Sequence, residues 1–477
     1  MENIAEISRK VLDYAVSAGA SYVETRFHND FEKGVALKNG EVEAVEAKYE
    51  MGLGVRVLVN GGLGFASTNI LKPETITRIV DKAVKMARSS SSLKSGGIRF
   101  SEEESYSLNW QVSEKKRLED WSLSDKIAFL KSLDETIMNL GVNVSSRYIA
   151  YSEGKTERVY WNTDGTWISS LIPRPFLFAL ITVADSSKGV IQRTLQFGGS
   201  GGLEVIESWR LNEKLANEVK ALHKMLKESV KPPDGIVDVV VGSEVTGIMS
   251  HEASGHPGEA DRILGREGAQ AGESYLKTSD LNRRIGSEAV NVVDDPTIPG
   301  SYGFYLFDDE GVKARRKYLI KEGIICEFLT NRETAASLGV KSNGSARALG
   351  YSVEPIVRMS NTYVLPGDYS VEELLSDVAE GVYVKSFMEW NIDDKRWNQR
   401  YVGLEAYMIE NGKVTKPVRS PVIEITTEKL FSSVDAVGKD LDFTAAKCGK
   451  GDPMQSIPVY TGGPSLRIRR IRVGSVG

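Results

Sequence analysis

Short runs of alternating apolar and polar residues, cut apart by turn dipeptides, limit how this chain can fold more than any other feature. Asn39-Gly40, Gly61-Gly62 and Asp164-Gly165 are two-residue hairpin signals. Around them lie SYVETRFH, GVALKNG, EVEAVEAKYE and GVRVLVN, and later VNVSSRYIAYS, ERVYWN, TWISSLI and FLFALITVA, which read as eight short strands. Helical spacing is confined to separate stretches. It marks the opening segment (Ile4, Ile7, Val11, Ala15), Lys72 to Arg88, Leu123 to Leu140, a long amphipathic helix from Leu203 to Val230, a helix starting near Ser243, and another at Val371 to Ala379. Strands outnumber helices and do not alternate with them regularly. The expected class is therefore α+β, with mixed and antiparallel sheets, rather than a doubly wound parallel sheet.

A chain of 477 residues is long enough for two or three cores. Lys231-Pro232-Pro233-Asp234-Gly235 ends the long helix and marks a boundary. It divides an N-terminal α+β domain (1–230) from a strand-rich C-terminal domain (231–477). RSSSSLKSGG, residues 88–97, reads as a linker or long surface loop. Sixty basic residues against 65 acidic ones give a net charge of −5, which argues against nucleic-acid or anionic-membrane partners. Arg467, Arg469, Arg470 and Arg472 alternate with apolar residues, as on the outer face of a buried strand. Two cysteines exclude a disulfide framework and suit a reducing compartment. With no signal-peptide core at the start and no apolar run of spanning length, the expectation is a soluble cytoplasmic protein.

Only four histidines occur, and two fall within six residues in Ser250-His251-Glu252-Ala253-Ser254-Gly255-His256. Imidazoles beside a carboxylate suit a metal-assisted hydrolase. The i, i+5 spacing would place the two rings about 140° apart on an ideal helix, so both reach one metal only if a wide i→i+5 turn intervenes. Gly255 and Pro257 permit such a break. A buried structural pair is the competing reading. Candidates for a third ligand are Cys448, Cys326, Glu259 and Asp261. Lys447 and Lys450 flank Cys448 and favour its thiolate, whereas Cys326, in GIICEFLT, reads as a core thiol. Asp294-Asp295 and Asp308-Asp309-Glu310-Gly311 could orient the histidines, but turn residues between strands are the simpler reading. His28 and His223 read as surface residues. The glycine-rich stretches lack the Lys-Ser/Thr of a phosphate loop, and no serine nucleophile elbow occurs.

At these residues the sequence resembles the TldD/PmbA family of zinc metallopeptidases along essentially the whole chain. The resemblance rests on GLGVRVLVNGGLGFAST, HEASGHPGEAD, TIPGSYGFYLFDDEG, VRMSNTYVLPGD, YMIENGKVTKPVR and CGKGDPMQSIPV. The HEASGH and CGKG blocks match the catalytic, TldD-type subunit. One departure is SFMEWNIDDKRWNQRYV, where the family pattern has a glycine-rich stretch, and it bears on the substrate groove or partner surface.

The resemblance implies zinc held by His251, His256 and Cys448, with Glu252 as catalytic base. It also implies a homodimer, or a heterodimer with a PmbA-like paralogue, acting on short or unfolded peptides. Two other readings compete with it. In one, Cys448 is a nucleophile activated by a histidine. In the other, the chain is a non-catalytic peptide-binding or scaffold subunit with a structural zinc.

Overall fold

The computed structural model describes residues 2–92, 96–269 and 271–476. All strands before residue 200 form one sheet of seven. Its spine runs Gly62–Thr68, Glu41–Val59, Tyr22–Lys38, Val144–Asn162 and Trp167–Asp185, each antiparallel to the next. Ser107–Gln111 lies parallel, and Gly189–Gly198 antiparallel, along different stretches of the Trp167–Asp185 edge. The eight short strands expected from the sequence are four long ones of 17 to 19 residues. No turn dipeptide separates the paired segments, so the charged residues between them stay in the ladder: Asp30 faces Glu50 on one side and Thr156 on the other. Asn39 and Gly40 make the first hairpin with φ of 52° and 85°, the left-handed pair a type I′ turn requires. The second hairpin turns at Asn60-Gly61, one residue earlier than expected.

Helices Glu2–Ser17 and Pro73–Ser90 pack on part of this sheet over a core of Val11, Leu53, Val55, Val57, Val80 and Ala83. Leu123–Met138 and Leu211–Glu228 cover the rest over Leu130, Ile149, Leu177, Ile181 and Leu215. The single helix expected from Leu203 to Val230 is two, Leu203–Ser208 and Leu211–Glu228. The break falls at Arg210, whose φ of 50° no helix tolerates. The stretch read as a linker at 88–97 begins inside the Pro73–Ser90 helix, and residues 93–95 lie outside the described residues. Beyond it, Ile98 N–H donates to Gly61 O at 2.7 Å, tying the chain back to a hairpin.

From Gly235 onward the chain builds a nine-stranded sheet, a six-stranded sheet and a two-stranded ribbon. In the nine-stranded sheet, Leu466–Ser475 lies between Gly235–Val241 and Pro421–Thr426, antiparallel to both. In the six-stranded sheet, Gln455–Gly463 pairs with Asn361–Val364 on one side and with the edge strand Asp442–Lys450 on the other. Helix Ser243–Ser250 leaves Gly235–Val241 and crosses the Gln455–Gly463 strand; Val239, Val241, Val245, Ile248 and Met249 join the large core. Among the described residues, no helix is long and apolar enough to cross a membrane.

Several single-residue expectations are corrected. His28 is 1 % exposed, because its strand is covered on both faces, by the helices and by the second half of the chain. His223 is half-buried. Cys326 is exposed, because its strand, Ile324–Ile325, ends one residue before it. Arg470 and Arg472 face solvent as the alternation suggests, but Arg467 is buried on Asp435 at 2.9 Å. The two acidic clusters hold the structure together without touching the histidines. Asp294 accepts from Lys317, Ser360 and Thr362, Asp309 pairs with Arg158, and Glu310 pairs with Arg56.

Candidate metal centre

The helix that begins at Ser243 widens where the motif begins. Residues His251–Gly255 form a π-turn, and His256 N–H donates to His251 O at 3.1 Å. The extra residue in that turn removes the angular offset of an i, i+5 pair, so the two imidazoles stand edge to face with ring centroids 4.9 Å apart. Gly255 is required there: a Cβ would lie 2.0 Å from Met359 Sδ. The edge strand Asp442–Lys450 brings Cys448 to the same point, its Sγ 3.4 Å from His256 Nε2. Ligand atoms of His251, His256 and Cys448 all lie within 4.8 Å of one another, and all three residues are buried. Of the third-ligand candidates weighed from the sequence, Cys448 is in this cluster, and Cys326, Glu259 and Asp261 are not.

Glu259 and Asp261 stand behind the histidines instead. Glu259 Oε2 is 3.1 Å from His256 Nδ1, which turns Nε2 towards Cys448. Glu259 also meets Arg262 at 2.7 Å and Lys450 at 3.3 Å, and Lys450 meets Asp261 at 2.7 Å. Burial would raise the Glu259 carboxyl, but Lys450, His256 and Arg262 outweigh it and hold it well below the ordinary range. His251 has no such support: its Nδ1 is buried without a hydrogen-bond partner, and burial pushes its pKa down, favouring the neutral ring.

The Cys448 thiol is held at about 7. Burial alone would raise it, but His256 and Arg358 favour the thiolate more strongly. Arg358 is fully buried and fixes this strand by donating to Cys448 O and, at 2.8 Å, to Gln455 O.

Glu252, between the two histidines, is also buried and ionised. Burial raises its carboxyl, and the nearby His256, His251 and Arg396 together lower it below the ordinary value. Arg396 Nη1 donates directly to Glu252 Oε2. Arg396 belongs to SFMEWNIDDKRWNQRYV, which forms strands Phe387–Ile392 and Asn398–Gly403 and hangs beside the site. There Trp390 is exposed and Trp397 packs edge-on against Tyr275. The sequence reading associated this segment with the groove but missed Arg396. Its signal, a basic residue in a tight loop with φ of 65°, is visible only in the backbone.

The four residues His251, Glu252, His256 and Cys448 line a cavity of about 770 Å³. Its walls include residues 192–197 and 442–449, from edge strands of two different sheets. The three consecutive parts of the chain match the models of PmbA/TldA metallopeptidase domain 1 (23–87), central domain (116–226) and C-terminal domain (234–475). The chain belongs to the PmbA/TldD family. A protein of Methanocaldococcus jannaschii named a metalloprotease is 33 % identical, over 94 % of this chain and 95 % of its own. One of Saccharolobus solfataricus, named a zinc metalloprotease TldD homolog, is 27 % identical over 98 % and 99 %. The same fold occurs in the crystal structure of TldE from Thermococcus kodakarensis, with a TM-score of 0.76 at 16 % identity, covering 98 % of this chain and all of the other. A protein of Thermotoga maritima matches over the same shares, with a TM-score of 0.78 at 21 % identity.

Proposed function

We propose that the protein is a zinc-dependent metallopeptidase that hydrolyses short or unfolded peptides. The observation that carries this reading is the convergence of two imidazoles and a low-pKa thiol within 4.8 Å, with the ionised Glu252 carboxylate lining the same cavity. The donors suit zinc: nitrogen and sulfur ligands, three in number, with His251 Nδ1 buried and unsatisfied unless something else binds it. His251, His256 and Cys448 would hold the ion. Zinc bound there supplies Lewis acidity, polarising a carbonyl and making water more acidic.

The remaining work falls to the chain itself. Glu252, ionised at neutral pH, accepts a proton from the attacking water at a carboxylate oxygen and returns it to the departing amide nitrogen. Arg396 fixes that carboxylate by donating to Oε2, and Trp390 also hydrogen-bonds the same carboxyl group. Glu259 orients His256. Edge strands of two different sheets line one cavity, which suits an extended peptide added to an edge as a strand, and a walled cavity excludes folded proteins. The same reading takes the working form as a dimer, with itself or with a PmbA-like paralogue.

Elemental analysis of the purified protein beside Cys448→Ala tests the ligand set. About one zinc per chain in the parent, lost in the variant, is the expected result; zinc that survives the substitution overturns it. A peptide-library digest that yields no product from zinc-loaded protein supports instead a peptide-binding subunit with a structural metal.

A further inference from the structure

On the other side of the Cys448 strand from the metal cluster lies a second, smaller cavity. It holds about 250 Å³ and is walled by the first sheet and by the second half of the chain. Its lining carries five cations, Lys48, Arg158, Arg174, Arg347 and Lys447, against three acids, Asp30, Glu32 and Glu50. Two of the cations are already matched: Lys48 pairs with Glu50 at 2.9 Å, and Arg158 with Asp309 at 2.8 Å.

The other three have no carboxylate partner among the described residues. Arg174 donates to the carbonyls of Tyr302 and Phe304 at 3.1 and 2.9 Å. Arg347 donates to the carbonyls of Met359 and Pro458 at 2.7 and 2.9 Å, and lies over the Tyr305 ring. Lys447 stands 5.0 Å over the Phe176 ring. Guanidinium groups that lose water without a direct ion pair are costly: the carbonyls offer only partial charge, and Asp30 and Asp309 favour Arg174 and Arg347 only from beyond ion-pair distance. Burial and neighbouring cations accordingly press Arg174 down to about 9 and Arg347 to about 10. Arg174 is also not exhausted as a donor: among the described residues its Nη1 has no partner, and it is not sealed from solvent.

Lys447 connects this cavity to the metal site. It lines both cavities and immediately precedes Cys448 in the strand. An occupant of the large groove running along Asp442–Lys450 therefore has the cationic cavity within reach.

We infer that this cavity is a carboxylate-binding subsite in which Arg174, Arg347 and Lys447 seat a carboxylate of the bound peptide. The inference rests on the peptidase reading for its ligand, and it names the substrate class: peptides that present a carboxylate at a fixed distance from the bond placed at the metal cluster. That carboxylate is either the C-terminus or an acidic side chain, and the two sources are separable by experiment.

The test is equilibrium binding to the Glu252→Gln protein, which needs no hydrolysis. Three fluorescent peptides of otherwise identical sequence are compared by anisotropy: a free acid without acidic residues, its C-terminal amide, and the amide carrying one glutamate. Charge-assisted hydrogen bonds predict about tenfold or greater preference for a carboxylate-bearing peptide over the plain amide. Preference for the free acid assigns the C-terminus, and preference for the glutamate peptide assigns a side chain. Lys447→Gln, at an exposed position, and Arg174→Gln should each reduce that preference severalfold. Should Arg174→Gln fail to fold, Lys447→Gln still decides.

Equal binding of all three peptides overturns the inference while leaving the peptidase reading intact. So does a preference that survives Lys447→Gln undiminished, or stabilisation by inorganic phosphate with no discrimination among the peptides. A carboxylate preference in a protein whose zinc-loaded parent hydrolyses nothing would uphold the subsite and overturn the peptidase reading.

Discussion

The two halves of the molecule differ in how far apart in the sequence their paired strands lie. Before residue 200, most neighbouring strands are also neighbours in the sequence: Tyr22–Lys38 turns straight into Glu41–Val59, and Val144–Asn162 into Trp167–Asp185. After residue 235, a larger share of the strands that touch come from far apart, although hairpins such as Asp442–Lys450 with Gln455–Gly463 remain local. Gly235–Val241 pairs with Leu466–Ser475, and the two sides of the metal cluster, His256 and Cys448, are 192 residues apart. The local half makes long, regular strands and a large scaffold. The non-local half makes shorter strands, and its chemistry lies where distant segments meet. A site of this kind draws its precision from long-range closure, and the local half supplies one wall of each cavity.

The sharpest way to separate the halves is Glu252→Gln. It should lower peptide hydrolysis by about 10²–10⁴-fold while zinc content stays as in the parent, with some loss of thermal stability because Arg396 loses its ion pair; hydrolysis within tenfold of the parent would remove Glu252 from the proton transfer. Chelation should lower the stability of the second half by several kcal/mol, since a metal that binds only the folded form adds its binding free energy to stability. Hydrogen exchange checks this: protection should fall in 235–476 and hold in 22–198, and equal loss in both would show that the halves unfold as one. In the scaffold, Leu177→Ala removes a fully buried side chain and should cost about 2–5 kcal/mol in denaturant unfolding without loss of zinc. Zinc loss in that variant would break the division proposed here.

The smallest effect concerns the two cysteines. In metal-free Cys326→Ser protein, thiolate absorbance should titrate near 7, since Cys448 is lowered from 9. A folded pKa lowered in this way stabilises fully above pH 9 and loses its contribution as pH falls through 7. In Cys448→Ser protein, the remaining Cys326 should titrate above 9, because partial desolvation raises it even at its largely exposed position. Coinciding midpoints in the two variants would mean that His256 and Arg358 do not act on Cys448 as described.

How much of this was legible in the sequence follows the same division. Asn39-Gly40 and the apolar spacing of Pro73–Ser90 are local signals, and they place a hairpin and a helix correctly. Strand length was misread because charged residues such as Glu32 and Lys33 resemble turns when their partners across the ladder are unknown. His251, Glu252, His256 and Cys448 were legible as residue types at a suggestive spacing, and the wide turn could be argued from Gly255 and Pro257. The pairing of Glu252 with Arg396, 144 residues away, could not. Neither could the burial of His28, because that depends on a surface the far half brings to it.

Leu466–Ser475 is the latest strand in the sequence, yet it sits in the interior of the nine-stranded sheet, between Gly235–Val241 and Pro421–Thr426. A growing polypeptide emerges from the ribosome with its scaffold half ready to fold and its other large sheet split in two. Until Leu466–Ser475 has been made, Gly235–Val241 and Pro421–Thr426 each present an unpaired edge, open to aggregation or to a chaperone. The strand that leads directly into the metal-binding helix is one of those edges. The helix that carries His251 would therefore be held by a completed sheet only once Leu466–Ser475 has been made.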